Sequence, residues 1–226
     1  MAISQVGGST ATSVSTAVLT LTVTYSPTLG NTIVLFLGAN GALTALTVQD
    51  NLGNNLVAGP TANLGAGKAL SFYYLTVPSG VTGYTATWTT TARVASITIE
   101  EYSGVTNGVN VSLVGNTTTG STSPASLTAT IDEANDWLIV GILTAGSNVT
   151  GTVGNSRQSI TTGTVRQLLM DNTQPNVVAV TCTGTLGAVS WACLAIELRV
   201  PAIVISTLFT PPTISSEFHW GGGDGW

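Results

Sequence analysis

The chain has 226 residues, of which 43% are hydrophobic and only 7% are charged, and its formal net charge is -5. This apolar content excludes an intrinsically disordered chain, and five scattered Lys and Arg residues provide no basic surface for a nucleic acid. The longest apolar runs fall far short of the roughly 20 residues that a membrane helix needs, so we expect no membrane partner. No cation precedes Lys68, which argues against a secretory signal and predicts a protein made without export.

Strand signals follow one another along the chain. In Leu19–Tyr25, apolar side chains alternate with threonine, which predicts a strand with one buried and one exposed face. The continuous apolar runs Thr32–Leu37 and Trp137–Leu143 predict strands that are covered on both faces. The other predicted strands are Leu43–Val48, Ala69–Val77, Tyr84–Thr89, Val94–Glu101, Val109–Val114, Leu127–Ile131, Thr164–Met170, Val177–Thr183 and Ala188–Leu198.

Two parts of the sequence resemble each other. Asn31–Ala39 is echoed by Asp136–Leu143, and Ile97–Glu100 is echoed by Leu194–Glu197. No stretch keeps a helical period, and Gly-rich turns separate many short strands. We therefore predict an all-β fold: a single antiparallel β-sandwich of jelly-roll type with two pseudo-repeated halves over residues 1–200.

The two cysteines are predicted to be reduced and buried. Folding Val177–Thr183 as a hairpin against Ala188–Leu198 places Cys182 opposite Val189. Cys193 then lies about 13 Å further along the strand, at roughly 3.3 Å per residue. That separation is too long for a disulfide.

Acidic residues offer the clearest candidates for chemistry. Asp132–Asp136 offers oxygens for Ca²⁺ but lacks the alternating ligand spacing of a calcium loop, which favours a turn. Asp50–Asn55 likewise has the Asx and Gly residues of a hairpin turn. Glu100 and Glu197 could act as acid and base on a sugar, although glutamates on a solvated strand end are the favoured interpretation.

Other catalytic and metal chemistry lacks its residues. The sequence holds no Gly-x-Ser-x-Gly pentad, and the one histidine, His219, follows the last predicted body strand. Two cysteines and one distant histidine do not make a zinc site. We therefore predict no cofactor, no metal and no catalytic residues.

Residues 201–226, here called the C-terminal arm, differ from the rest of the chain. Their large apolar side chains lie among Gly and Pro residues that prevent a regular element. Because ordering the arm costs about as much as burying its aromatic side chains gains, we expect it to dock on a partner. The predicted partner-binding residues are Phe209, Pro211, Pro212, Phe218, Trp220 and Trp226. Packing of the arm on its own domain is the alternative.

Four segments resemble the strand and turn signatures of one family of jelly-roll-like β-sandwich domains, found in tailed-phage virion proteins and in large bacterial surface proteins. These segments are Gly30–Val34, Val48–Asn54, Glu101–Val105 and Asn135–Ile139. The resemblance runs from about residue 30 to residue 199. It implies a non-enzymatic virion structural protein that decorates a capsid or tail surface and docks through its arm.

The same resemblance implies the partners. Homotrimers are common among such phage proteins, so we expect a homo-oligomer, with other virion proteins such as the major capsid protein as further partners. The alternative is an extracellular or cell-surface module of a bacterium that binds a glycan or serves in adhesion. Such a module is expected to carry an export signal or to belong to a longer chain.

Overall fold

The structure is a computed structural model that describes residues 2–7, 10–64, 67–105, 109–110, 117–153, 155–160, 165–173, 179–187 and 189–200. Within these ranges the chain is built from antiparallel β-strands. None of the described residues lies in a helix of the length and hydropathy needed to cross a membrane. The all-β prediction is therefore confirmed.

The strands are β1 (Ser4–Gln5), β2 (Thr10–Ser13), β3 (Thr20–Thr24), β4 (Thr32–Asn40), β5 (Leu46–Asp50), β6 (Val57–Leu64), β7 (Lys68–Thr76), β8 (Gly83–Trp88), β9 (Ala95–Ser103), β10 (Val109–Asn110), β11 (Thr117–Gly120), β12 (Ala125–Thr130), β13 (Trp137–Thr144), β14 (Thr150–Val153), β15 (Asn155–Ile160), β16 (Arg166–Thr173), β17 (Ala179–Thr185) and β18 (Trp191–Leu198). We call the described part of residues 2–105 the first repeat and that of residues 109–200 the second repeat.

The two repeats have the same topology. The large sheet of the first repeat has the order β1-β9-β4-β7-β6, with β2 also on β9, and that of the second has the order β10-β18-β13-β16-β15, with β11 also on β18. The small sheets have the orders β3-β8-β5 and β12-β17-β14. The predicted internal repeat is thus present as a repeated strand order.

Each repeat closes a sandwich-like unit of its own, whereas the sequence had predicted two halves of a single sandwich. Within a repeat, the small sheet packs on one face of the large sheet and encloses a hydrophobic core. Strand β3 alternates exposed threonine with buried Leu21 and Val23, as predicted. The prediction of a single sandwich was wrong because the chain has enough strands to build both layers twice.

A further core lies between the two large sheets, which stack face to face. Strands β4 and β13 lie at the centre of this stack and are buried on both faces, which confirms the interpretation of their continuous apolar runs. One face of β4 contributes Ile33, Leu35 and Leu37 to the core of its own repeat. The opposite face contributes Val34 and Phe36 to the core between the repeats.

The closest approach of the repeats depends on two glycines. A Cβ atom at Gly141 would lie 2.3 Å from the Phe36 ring, and one at Gly38 would lie 2.6 Å from Leu143 Cδ1. When β4 is aligned on β13 from Thr32 and Trp137, Phe36 corresponds to Gly141 and Gly38 corresponds to Leu143. Phe36 therefore occupies the space left by Gly141, its equivalent in the second repeat, and Leu143 occupies the space left by Gly38, its equivalent in the first. This reciprocal arrangement is expected when a pseudo-two-fold axis relates the two sheets.

The cysteines are free and buried, as predicted, but the predicted hairpin is wrong. Cys182 lies on β17 in the small sheet, and Cys193 lies on β18 in the large sheet of the same repeat. Both side chains belong to the core of the second repeat. Burial raises the pKa of Cys182 to about 11 and raises that of Cys193 further, which keeps both thiols protonated near neutral pH.

We predict that Gly141→Ala lowers the free energy of unfolding by about 1 to 3 kcal/mol, because the added methyl group overlaps the Phe36 ring. Denaturant unfolding of the full chain measures this loss. The double variant Phe36→Leu/Gly141→Ala should lose less than the sum of the two single variants, because the smaller side chain makes room for the methyl group. Strictly additive losses would contradict the proposed contact.

Candidate functional site

The predicted partner-binding residues, Phe209, Pro211, Pro212, Phe218, Trp220 and Trp226, lie outside the described residues, as does His219. The structure does describe the point at which the chain enters the arm. This point is the end of β18, and it is surrounded by acidic residues that the sequence analysis had singled out.

Glu101 holds the segment that leads into β4. Its carboxylate is buried and accepts hydrogen bonds from the Tyr25 hydroxyl at 2.8 Å, the Thr28 N–H at 2.9 Å and the Asn31 amide at 2.5 Å. Burial alone would raise the pKa of Glu101, but these three donors outweigh it and hold the pKa below its ordinary value. This glutamate therefore acts as an ionised structural clamp.

Glu197 is the equivalent residue of the second repeat. It lies opposite Leu138 on β13, as Glu101 lies opposite Ile33 on β4. The sequence echo had instead aligned Glu197 with Glu100, which is one residue out of register. The Glu197 carboxylate is buried and accepts a hydrogen bond of 2.5 Å from the Asp132 N–H, so this clamp also holds the segment before a central strand.

The two clamps differ in their partners, and one of the differences lies at the position of Asn31. Asp136 occupies the position of Asn31, so that a second carboxyl group lies beside Glu197. Burial and the charge of Glu197 raise the pKa of Asp136 to about 6, against the lowering effect of the hydrogen bond from the Val200 N–H. That bond is 2.8 Å long and fixes the last described residue before the arm.

Arg199 completes this cluster at the root of the arm. It forms an ion pair with Asp132, and its Nε lies 3.5 Å from Glu197 Oε2. The segment Asp132–Asp136 is a turn, as predicted, in which Arg199 engages the Asp132 carboxylate and the Val200 N–H engages that of Asp136. Within the described ranges, no group of three or more His, Cys, Asp or Glu side chains could hold a metal ion.

The predicted turn at Asp50–Asn55 is also confirmed. The Asp50 carboxylate accepts hydrogen bonds from the N–H groups of Leu52 and Asn54, both at 2.9 Å, and from the Asn54 amide at 2.8 Å. Gly53 adopts φ +86°, the left-handed conformation that favours glycine. The oxygen atoms of Asp50 therefore stabilise the turn itself.

The prediction that Glu100 and Glu197 lie on a solvated face was wrong, because both side chains are buried. Glu100 faces the core between the repeats and accepts a hydrogen bond of 2.9 Å from the Gln5 amide. Glu197 faces the opposite way, toward the loop that it clamps. This arrangement does not present the two glutamates as a pair across a sugar-binding cleft.

Along one side of the stack, β9 lies over β15 and β16, and the contact is polar. Asp171 is fully buried there and binds Arg157 Nε at 2.6 Å and the Tyr102 hydroxyl at 3.0 Å. Trp137 packs edge-on against Tyr102, with ring centroids 5.6 Å apart, and under the Arg157 guanidinium. No spacing in the sequence indicates this cluster, because its members come from four separate strands.

Gln167 extends the polar contact toward the centre of the stack. Its side-chain carbonyl accepts a hydrogen bond from Ser96 at 2.8 Å, and its amide donates to Thr98 at 2.6 Å. All three residues are buried. Such a network favours one arrangement of the two sheets, because any sliding would leave buried polar groups without partners.

The opposite side of the stack is apolar. There β18 lies against β6 and β7, and the strand registers place apolar residues at the positions equivalent to the polar ones. Ala192, Leu194, Ile196 and Leu198 correspond to Ser96, Thr98, Glu100 and Tyr102. The two sides of this pseudo-symmetric interface therefore differ, because one is polar and the other is apolar.

Each side of the stack also contains a cleft. The cleft on the polar side has a volume of about 270 Å³ and is lined by Ala2, Ile3, Asn135, Trp137 and Thr173. The cleft on the apolar side has a volume of about 280 Å³ and is lined by Thr32, Val57, Tyr74, Leu75, Thr76 and Val109. We call the second one the apolar cleft.

Comparison of the chain with protein-family models, with curated proteins and with solved structures finds no match.

We predict that Asp136→Asn raises the free energy of unfolding at pH 7 by on the order of 1 kcal/mol, because it removes one of two adjacent carboxylates and restores the donor present at Asn31. A raised folded-state pKa means that the folded wild type binds more protons than the unfolded chain between about pH 4 and pH 6. The contribution of Asp136 to stability is therefore lost as the pH rises through this range.

The free energy of unfolding measured across this pH range tests the prediction. The loss of stability that Asp136 causes as the pH rises should be absent from the variant. The reciprocal change Asn31→Asp places a second carboxyl group beside Glu101 and serves as the matched control. It should lower stability at pH 7 and introduce the same kind of decline. Identical pH profiles for the wild type and Asp136→Asn would contradict the assignment.

Proposed function

We propose that this chain is a non-enzymatic structural protein of a tailed-phage virion, which decorates the capsid or tail surface and docks through residues 201–226. The proposal includes the finer classification of its sandwiches as jelly-roll-like domains of the family that the sequence resembles. The expected partners are other copies of the chain, in a homotrimer, and virion proteins such as the major capsid protein.

The observation that carries the proposal is the anchoring of the two residues that precede the arm. Val200 is bound to Asp136, and Arg199 is paired with Asp132, so the arm starts from a fixed point on the stacked sheets. Beyond this point the sequence places Phe209, Phe218, Trp220 and Trp226 among Gly and Pro residues. A fixed root followed by separated aromatic side chains suits a segment that binds another molecule.

The body of the protein supports the same role. The carboxylates of Asp50, Glu101 and Glu197 accept hydrogen bonds from the backbone and thus stabilise loops. The two repeats share a buried interface that includes the Gln167 network, so the body is suited to carry an arm as one rigid block. Repetition of such blocks on a symmetric particle would multiply weak arm contacts into strong binding.

The test replaces the four arm aromatics, Phe209, Phe218, Trp220 and Trp226, with serine in the full chain. We expect the variant to keep the wild-type melting temperature and to lose binding to candidate phage particles, because the apolar groups that dock are gone. Co-sedimentation with particles that lack this protein measures the binding.

The matched control is Leu29→Ser/Leu52→Ser, which removes two exposed apolar side chains from the body. This control should bind particles as the wild type does. Particle binding that survives removal of the arm aromatics would contradict the proposal. Cleavage of a glycan by the purified protein that is abolished by substitution of Glu100 or Glu197 would also contradict it, as would arm-independent binding to a cell-surface glycan.

A further inference from the structure

The clamp of the second repeat needs a proton that the clamp of the first repeat does not need. In the first repeat, the Asn31 amide donates a hydrogen bond of 2.5 Å to the Glu101 carboxylate. Asp136 occupies the position of Asn31, and an ionised carboxylate has no hydrogen to donate. Asp136 can therefore donate the equivalent bond to Glu197 only when it carries a proton.

The burial of Asp136 adds to this need. Its side chain is fully buried, and its Oδ1 accepts the hydrogen bond from the Val200 N–H. Within the part of the chain that the structure describes, no N–H or hydroxyl group donates to the buried Oδ2, and the carboxyl group of Glu197 lies beside it. If both carboxyl groups were ionised, Oδ2 would be buried without a donor and the two charges would repel each other. One proton shared by the pair removes both costs.

Charged groups surround Asp136 on both elements that meet here. Asp132 and Glu133 lie on its own turn, and Glu197 and Arg199 lie on β18. Arg199 already forms an ion pair with Asp132 and lies near Glu197. One cation thus serves two carboxylates before Asp136 is counted, so a proton on the pair reduces an excess of negative charge.

The same pair holds the last described residue before the arm. Val200 donates its N–H to Asp136, and its side chain packs against the core between the repeats. Moving Val200 away from Asp136 would admit water to the two carboxyl groups and hydrate their charges. Loss of the proton therefore favours opening at Val200, and the bound proton opposes it.

We propose that Asp136 and Glu197 share one proton and act as a pH-sensitive latch, which holds Val200 on the body while the proton is bound and loosens when the proton is lost. Because the pKa of Asp136 is raised to about 6, the hold weakens as the pH rises from about 4 to about 6. The latch acts within one chain and is independent of the molecule that the arm binds.

Amide hydrogen exchange of the full-length protein, followed by NMR, measures the latch at Val200. The protection factor of this amide, which corrects for the pH dependence of intrinsic exchange, should fall by about tenfold or more between pH 4.5 and pH 7. Asp136→Asn should keep the same high protection at both pH values, because its amide donates to Glu197 without titrating. The Thr28 amide, which donates to Glu101, is the control within the same molecule and should keep its protection.

The reciprocal variant Asn31→Asp places a second carboxyl group beside Glu101. It should give the Thr28 amide a fall in protection with rising pH and leave Val200 as in the wild type. If Asp136→Asn fails to fold, Glu197→Gln removes the same carboxyl pair and replaces it in the comparison.

Two results would overturn the latch. The first is a protection factor at Val200 that is constant with pH in the wild type, or that falls equally in Asp136→Asn. The second is an equal fall at Val200 and Thr28 in the wild type, because it would identify unfolding of the whole protein as the cause.

Discussion

The packing of one large sheet on the other holds the two repeats in a single arrangement. Phe36 fits over Gly141, and Leu143 fits over Gly38, so that the central strands of the two repeats approach closely. Because these partners are equivalent residues of the two repeats, the contacts lie on the pseudo-two-fold axis. A shift of one sheet over the other by a residue would separate both pairs and would also break the Gln167 network beside them.

Because the two repeats have the same topology, the role of a residue in one repeat can be compared with that of the equivalent residue in the other. Glu101 and Glu197 perform the same structural task in both repeats, which explains two buried glutamates without catalysis. The positions at which the repeats differ are then the informative ones. Asp136 in place of Asn31 puts a second carboxyl group beside Glu197 at the root of the arm, and Trp137 in place of Thr32 supplies the ring that packs against Tyr102 and Arg157 on the polar side. The first difference lies where the arm leaves the body, and the second belongs to the polar contact between the repeats.

Local sequence patterns were sufficient to predict several of the strands and one of the turns. Alternating Leu and Thr residues identified β3, the continuous apolar runs identified β4 and β13, and the Asp50 turn followed from its Asx and Gly residues. Strands β6 and β15 were missed because each is an edge strand interrupted by a bulge, so neither shows a clean period. The assumed hairpin between β17 and β18 was wrong because chain neighbours here cross between sheets. The Asp171 cluster and the apolar cleft each combine residues from several strands, and no sequence spacing indicates that combination.

We propose that residues 201–226 become ordered when they bind another molecule. Hydrogen–deuterium exchange of residues 201–226 tests this most directly, with the protein measured both as a dilute monomer and in its assembled state. We expect fast exchange along the arm in the monomer and strong protection around Trp220 and Trp226 only after assembly. Full protection of these residues in the dilute monomer, unchanged on assembly, would contradict it.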